Sequence, residues 1–310
     1  MSWRRIHPLH GPRTGFMSLL RSGSPLLAAT LVGCASLPPP ATDDTIWAEE
    51  WLTLGGTSHH VEWWLPAGEA LALVTVQHGF ARDCGTVRET ARQIAQRGLM
   101  TLCVDATMAG GNPALADALA AALLSDITAP GGRRLPRTIV VSGHSAGAHF
   151  AVRLGRQLAT AAPGRLAGAV LFDPVAATGF AENLAVLSSA GERPVYAITA
   201  NAAGCNARHN AYPALRQLRS DAIAAGRSGF VGLQLTHDST HVDVEGEDTG
   251  ALAVAACGQG WPQPANVHAL RTLAAAWARD LASGRRTTDH YPGGTFIEGL
   301  LQTQQAQAIE

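Results

Sequence analysis

The chain has no lysine: all 23 of its basic residues are arginine. That absence excludes a Walker-type phosphate loop, a pyridoxal Schiff base and any lysine nucleophile, since each needs the primary amine. Charge is scarce as well, at 15% of residues, with a formal net charge of −1 and no block of like charges. A nucleic-acid binder needs a basic patch or stripe, so nucleic acid is not an expected partner. No uninterrupted apolar run approaches the roughly 20 residues of a membrane-spanning helix. What the chain does have is 310 residues, 46% of them hydrophobic, enough to fill the core of one large α/β domain. There is no internal repeat and no sign of a second domain boundary.

The N-terminus reads as separate from the fold. Residues 1–33 carry Arg4, Arg5, Arg13 and Arg21 with no acid, and lead into the short apolar run Pro25 to Val32, the order of an export signal. Met17 is a second candidate start. Leu31-Val32-Gly33-Cys34 resembles the bacterial lipoprotein cleavage box, in which a small residue precedes a cysteine that is lipidated and becomes the new N-terminus. The resemblance implies a chain exported to the bacterial cell envelope, on its periplasmic or outer-membrane face, and held to a membrane through Cys34. An ordinary buried N-terminal helix is the other reading. Residues 34–45, Pro-rich after Cys34, then form a stiff tether. Export leaves Cys84, Cys103, Cys205 and Cys257, an even set in an oxidising compartment.

From Leu71 onward, short apolar runs alternate with segments of helical period, the pattern of a mostly parallel sheet with helices on both faces. Strands are expected at Leu71–Val76, Leu99–Val104, Thr138–Ser142, Ala169–Phe172, Val195–Thr199 and Phe230–Leu235. Helices are expected at Thr86–Arg97, Pro113–Ile127, Ala146–Thr160, Tyr212–Ala225 and Asn266–Leu281. The Trp-rich stretch Ile46 to Leu65 reads as an antiparallel hairpin at the sheet edge, its Trp47, Trp51, Trp63 and Trp64 packing the hairpin rather than forming an exposed platform. The catalytic domain is expected over 46–283, with 284–310 a tail that packs only in part.

The strand at Thr138–Ser142 runs into Gly143-His144-Ser145-Ala146-Gly147 and then a helix, a G-x-S-x-G elbow in its strand-turn-helix context. A serine hydroxyl is a poor nucleophile unless it projects freely toward a base, and a tight turn between small residues achieves that. Ser145 is therefore the expected nucleophile. The oxyanion that forms on acyl transfer needs N–H donors, and the backbone of Ala146, at a helix N-terminus, is one.

With Gln77-His78-Gly79-Phe80 after the first parallel strand, the chain resembles the α/β-hydrolase fold over roughly residues 60 to 283. The family's His-Gly motif implies that Phe80 supplies the second oxyanion N–H, with His78 bracing the loop. The family's usual acid position, after Val195–Thr199, holds no carboxylate. Asp173, in the Asp173-Pro174 turn one strand earlier, is the expected acid, an arrangement that resembles the chlorophyllase and cutinase-like (polyesterase-like) esterase groups. Two histidines follow the last strand. His241, in a His-x-Asp segment similar to that of the same groups, is the expected base, with His237 as the alternate. In the strand order the resemblance implies, Cys84 and Cys103 lie on neighbouring strands, and Cys205 and Cys257 both fall on the catalytic edge. That implies the bridges Cys84–Cys103 and Cys205–Cys257, with a buried thiol at Cys103 as the other reading.

The acidic run Asp243 to Asp248 lacks EF-hand spacing and reads as a solvated loop, so no metal is expected, and no organic cofactor. The implied activity is a serine hydrolase cleaving carboxylic esters, small-molecule, lipid or polymer, through a Ser145-His241-Asp173 triad and an acyl-enzyme. An acyltransferase with the same triad and a non-catalytic surface-anchored binding lipoprotein are the alternatives. Acyl specificity and oligomeric state are left open.

Overall fold

Two tryptophan-rich strands open the described chain, which in this computed structural model comprises residues 45–125 and 127–310. The expected export signal, Cys34 and the tether as far as residue 44 lie outside the described residues. Strands β1 (Thr45–Leu54) and β2 (Thr57–Pro66) pair antiparallel in register from Thr45↔Pro66 to Leu54↔Thr57. The hairpin turns at Gly55 and Gly56, both at positive φ, a conformation that a two-residue turn demands and glycine adopts without steric cost. Trp63 and Trp64 are buried and point to opposite faces of the sheet, each into a different half of the core, while Trp51 is exposed.

Six mutually parallel strands follow: β3 (Leu73–Gln77), β4 (Met100–Val104), β5 (Ile139–His144), β6 (Leu166–Phe172), β7 (Val195–Thr199) and β8 (Gly232–Leu235). A short antiparallel strand, β9 (Ala306–Ala308), closes the far edge, and the nine-stranded sheet runs β1-β2-β4-β3-β5-β6-β7-β8-β9. β3, β4, β5 and β7 are buried throughout, because helices cover both faces. On one face lie α2 (Pro113–Leu123), α3 (Ala146–Ala161), α4 (Phe180–Ser188) and α5 (Tyr212–Ala224), packing on Leu73, Val141, Leu171 and Ala197. On the other lie α1 (Arg88–Ala95), α7 (Pro264–Ser283) and α8 (Thr295–Gln302), packing on Val74, Val140, Val170 and Ile198. Alternate residues of each strand thus feed two separate apolar layers.

The expected parallel strands and helices all form, with shifted ends. The helix after Pro113 stops at Leu123 rather than Ile127, and the last parallel strand starts at Gly232 rather than Phe230. Three helices were not anticipated: α4, α6 (Ala251–Cys257) and α8. The C-terminal segment does more than pack in part. Tyr291, Ile297, Leu300, Ala306 and Ile309 are buried, and β9 pairs with β8 from Leu233↔Ala308 to Leu235↔Ala306. Among the described residues, no helix is long and apolar enough to cross a membrane.

Both cysteine pairs form disulfides, Cys84–Cys103 and Cys205–Cys257. Cys103 is therefore bonded rather than a free buried thiol. The second bridge, across 52 residues, ties the loop after β7 to the end of α6. Two disulfides fit an oxidising compartment. Peptide mapping without reductant should recover these two linked pairs, whereas four free thiols would contradict them. Replacing both Cys205 and Cys257 by serine should lower unfolding free energy by about 2–4 kcal/mol in chemical denaturation.

Candidate active site

All six parallel strands point their carboxyl ends at one edge, and the loops leaving that edge carry every residue singled out above as a candidate for catalysis. β5 ends at His144, and Ser145 sits between strand and helix at φ 57° and ψ −122°, a region that non-glycine residues enter only under constraint. The constraint is visible in its neighbours. A methyl group at Gly143 would overlap the Gly147 carbonyl, and one at Gly147 would overlap the His78 and Gln77 carbonyls. The elbow thus packs strand, helix and the loop after β3 backbone to backbone. Ser145 N–H donates to Phe172 O (3.0 Å), and Val175 N–H donates to Ser145 O (3.3 Å), which ties the elbow to the turn after β6.

That turn holds Asp173. It too has positive φ, and its N–H donates to Ile198 O on β7 (2.8 Å). Its Oδ2 accepts from His241 Nδ1 at 2.6 Å and from Asn206 Nδ2 at 3.0 Å. The carboxylate therefore places the proton on Nδ1 of His241 and leaves Nε2 as the basic nitrogen. Both side chains are largely buried. Among the described residues, no hydrogen bond joins the Ser145 hydroxyl to His241, a contact that tightens in many hydrolytic sites only when substrate is bound. His237 is exposed, with its carbonyl accepting from Asn266, and takes no part in this cluster.

The loop carrying His241 is built by its own polar residues. Asp243 Oδ2 accepts from Ser239 Oγ (2.6 Å) and Thr240 N–H (3.0 Å), and Oδ1 accepts from Thr240 Oγ1 (3.0 Å). His241 N–H donates to Gln259 Oε1 (3.0 Å), two residues beyond the bridged Cys257. The acidic run is thus not the solvated loop its composition suggests. Asp243 and Glu245 are buried, and only Glu247 is fully exposed. Burial pushes the Asp243 carboxyl up to about 6, and Asp248 likewise up to about 6. Burial also raises Glu245, against the Arg82 guanidinium at 2.8 Å, which favours its charged form.

Two backbone N–H groups adjoin the elbow. Gly79 lies so near the elbow that a methyl group there would stand 3.2 Å from Ser145 Cβ. Phe80 follows it, and Ala146 is the first residue of α3. Among the described residues, neither the Phe80 nor the Ala146 N–H has an acceptor. His78, fully buried, donates Nδ1–H to Gly79 O (2.9 Å) and braces this loop, with burial holding it neutral. His144 lies under the His241 ring, with centroids 4.5 Å apart, and donates Nε2–H to His241 O (2.8 Å). Burial and the neighbouring imidazole keep His144 well below the usual histidine range, so no second cation forms beneath His241.

The sequence did not point to Asn206, Gln259, His144 or the Arg82–Glu245 pair. Asn206 and Gln259 each lie within two residues of a bridged cysteine, which was the available signal. Arg82 and Glu245 are 163 residues apart, and nothing local marks them as partners. Their ion pair clamps the loop that bears Phe80 to the loop that bears His241.

No protein-family model matches the sequence, and no curated protein does. Solved structures do resemble it. The thermostable carboxylesterase EstE1, cloned from a metagenomic library, is 16% identical over 79% of this chain and 91% of its own, with a TM-score of 0.55. The dienelactone hydrolase of Anabaena variabilis is 16% identical over 76% and 97%, with a TM-score of 0.53. An ester hydrolase from the metagenome of Lake Arreo is 15% identical over 78% and 85%, with a TM-score of 0.52.

Two measurements test the charges of this edge. Asp243 binds its proton more tightly in the fold than in the unfolded chain. Its contribution to stability is thus full below about 3.8 and lost as pH rises through about 6. Asp243→Asn keeps one of the two acceptor oxygens, on which Ser239 Oγ and Thr240 N–H can still donate, and removes the titration. Relative to wild type it should gain on the order of 2–3 kcal/mol in unfolding free energy between pH 4 and pH 6.5, and an unchanged difference would contradict the burial account. Arg82→Met should cost about 2–3 kcal/mol by leaving Glu245 buried and unpaired, with most of that loss recovered in Arg82→Met/Glu245→Gln. At this low identity the likeness to solved structures speaks to architecture alone, and together with the strand order and the elbow it places this chain in the α/β-hydrolase fold.

Proposed function

We propose that the chain is a serine hydrolase of carboxylic esters. One observation carries the reading. A serine held at positive φ on a strand-to-helix elbow shares a sheet edge with an Asp173–His241 hydrogen bond of 2.6 Å. In this reading His241 Nε2 takes the Ser145 proton as the hydroxyl attacks the ester carbonyl, and Asp173 holds the tautomer and stabilises the imidazolium. The Phe80 and Ala146 N–H groups bind the tetrahedral oxyanion, the second strengthened by the α3 dipole. Collapse expels the alcohol, protonated by His241, and leaves an acyl-Ser145 that water hydrolyses by the same route.

Asn206 supports the migrated acid. It donates to Asp173 Oδ2 from the loop after β7, the place where the carboxylate itself is missing. The titratable groups and backbone donors suffice for acyl transfer without a metal or organic cofactor. The Asp-Pro position of the acid supports kinship with the chlorophyllase and cutinase-like esterases, and the solved structures that the chain resembles are those of esterases and a dienelactone hydrolase. Export and attachment through an acylated Cys34 are part of the same proposal, supported by the cleavage-box sequence and by the two disulfides.

Turnover of p-nitrophenyl esters of increasing acyl length tests the roles. Ser145→Ala and His241→Ala should each lower kcat by roughly 10⁵-fold or more, and Asp173→Asn by roughly 10⁴-fold, with unfolding midpoints near wild type. Retained turnover in Ser145→Ala would remove the serine from the chemistry.

A further inference from the structure

The two edges of the sheet carry charge differently. Among the described residues, the arginine–carboxylate pairs are Arg82–Glu245, Arg88–Glu62, Arg92–Glu89, Arg153–Asp117 and Arg271–Glu247. None of them involves the arginines that gather at the amino ends of the parallel strands. Arg97 precedes β4, Arg137 precedes β5, Arg165 precedes β6, Arg193 precedes β7 and Arg227 precedes β8.

Backbone carbonyls stitch these residues into a continuous belt. Arg165 Nε donates to Arg137 O (3.0 Å), Arg193 Nη2 to Pro163 O (3.4 Å), and Arg227 to Glu192 O. Arg134 lines one open cleft with Arg137 and Arg165. At the other end, Arg279 donates to Arg97 O, and exposed Arg285 and Arg286 follow α7. Carbonyls satisfy the N–H donors but leave the positive charge uncompensated. Glu69, Glu192, Asp221, Asp289 and Glu310 are accessible acids here, and they are outnumbered, while Asp280 is buried on Thr287. A chain of net charge −1 thus keeps one cationic edge.

A second feature falls on the same edge. Thr45 pairs with Pro66, whose carbonyl accepts from Arg133 Nη1 (2.6 Å), so the first described residue lies beside the arginines. Ser145 lies on the opposite edge, at the carboxyl ends of the strands.

We propose that this arginine edge rests on an anionic phospholipid bilayer, the exposed guanidinium forks of Arg97, Arg134, Arg137 and Arg285 on headgroup phosphates, with the Ser145 edge turned away from the membrane. The planar fork matches phosphate oxygens in pairs, and its weak hydration lowers the cost of entering the headgroup layer. The surface itself is independent of any hydrolysis. Joined to the hydrolase reading above, it means that the ester arrives from the aqueous side and not from the bilayer on which the chain sits.

Cosedimentation with vesicles tests the proposal, using the full chain carrying Cys34→Ala so that no acyl group contributes. The protein should bind vesicles of phosphatidylcholine with 30% phosphatidylglycerol, ignore pure phosphatidylcholine, and release between 0.05 and 0.5 M salt. Each arginine near such a surface strengthens binding about fivefold, so adding Arg97→Gln, Arg134→Gln, Arg137→Gln and Arg285→Gln should weaken it by roughly 100-fold or more. Those four side chains are exposed and hold no described partner, so near-UV dichroism and p-nitrophenyl ester turnover should match the parent. A companion with Arg4, Arg5, Arg13 and Arg21 changed to Gln should keep most of the binding. The proposal fails if the parent does not bind, if the edge variant binds as the parent does, if the N-terminal variant loses the binding instead, or if duplex DNA competes the vesicles away at equal phosphate.

Discussion

The hydrogen bond from His241 to Asp173 is the contact around which the edge that bears Ser145 is organised. A carboxylate that orients an imidazole must be held still, and here three strands share the task. Asp173 leaves β6 with its N–H on the β7 backbone and its carboxylate on both His241 and Asn206. His241 is held in turn by Gln259 through its N–H and by His144 through its carbonyl. The loop after β7 has no acid to offer, and it contributes the amide that steadies the acid of its neighbour.

The clamp between Arg82 and Glu245 works at a coarser scale. Two loops that leave different strands, one bearing Phe80 and one bearing His241, are joined by a largely buried ion pair, while the disulfides fasten each loop again. Ion pairs in such surroundings contribute less to net stability than to fixing which loop lies against which. The proposed acyl transfer has the same requirement, because oxyanion donors and base must face one carbonyl at once. The opposite edge shows the contrasting use of arginine, with its charge left unpaired.

Much of this was readable from residue order. Six apolar runs separated by helical segments imply parallel strands with a common carboxyl edge, and the elbow at 143–147 needs its two glycines for reasons of contact that any structure must respect. The positions of Ser145 and Asp173 at strand ends, and of His241 in the loop after the last parallel strand, follow from that pattern. Short elements escaped it. β9 is Ala-Gln-Ala in a glutamine-rich tail, with no strand propensity, and it forms because the edge of β8 offers it a ladder. The acidic run at 243–248 looked solvated because composition cannot reveal that Ser239, Thr240 and Arg82 turn inward to meet it. The arginine belt was equally hidden. Its members are scattered one strand apart in sequence, and only the parallel order collects them.

The central claim is that Ser145 becomes covalently acylated during turnover, at a site assembled by His241 and Asp173. Rapid acid quench of the chain during steady-state hydrolysis of p-nitrophenyl butyrate, followed by intact mass and peptide mapping, tests it most directly. The account predicts a butyryl adduct on the peptide containing Ser145. An adduct on another residue, or turnover at full rate with no acylated Ser145 at the shortest quench, would contradict it.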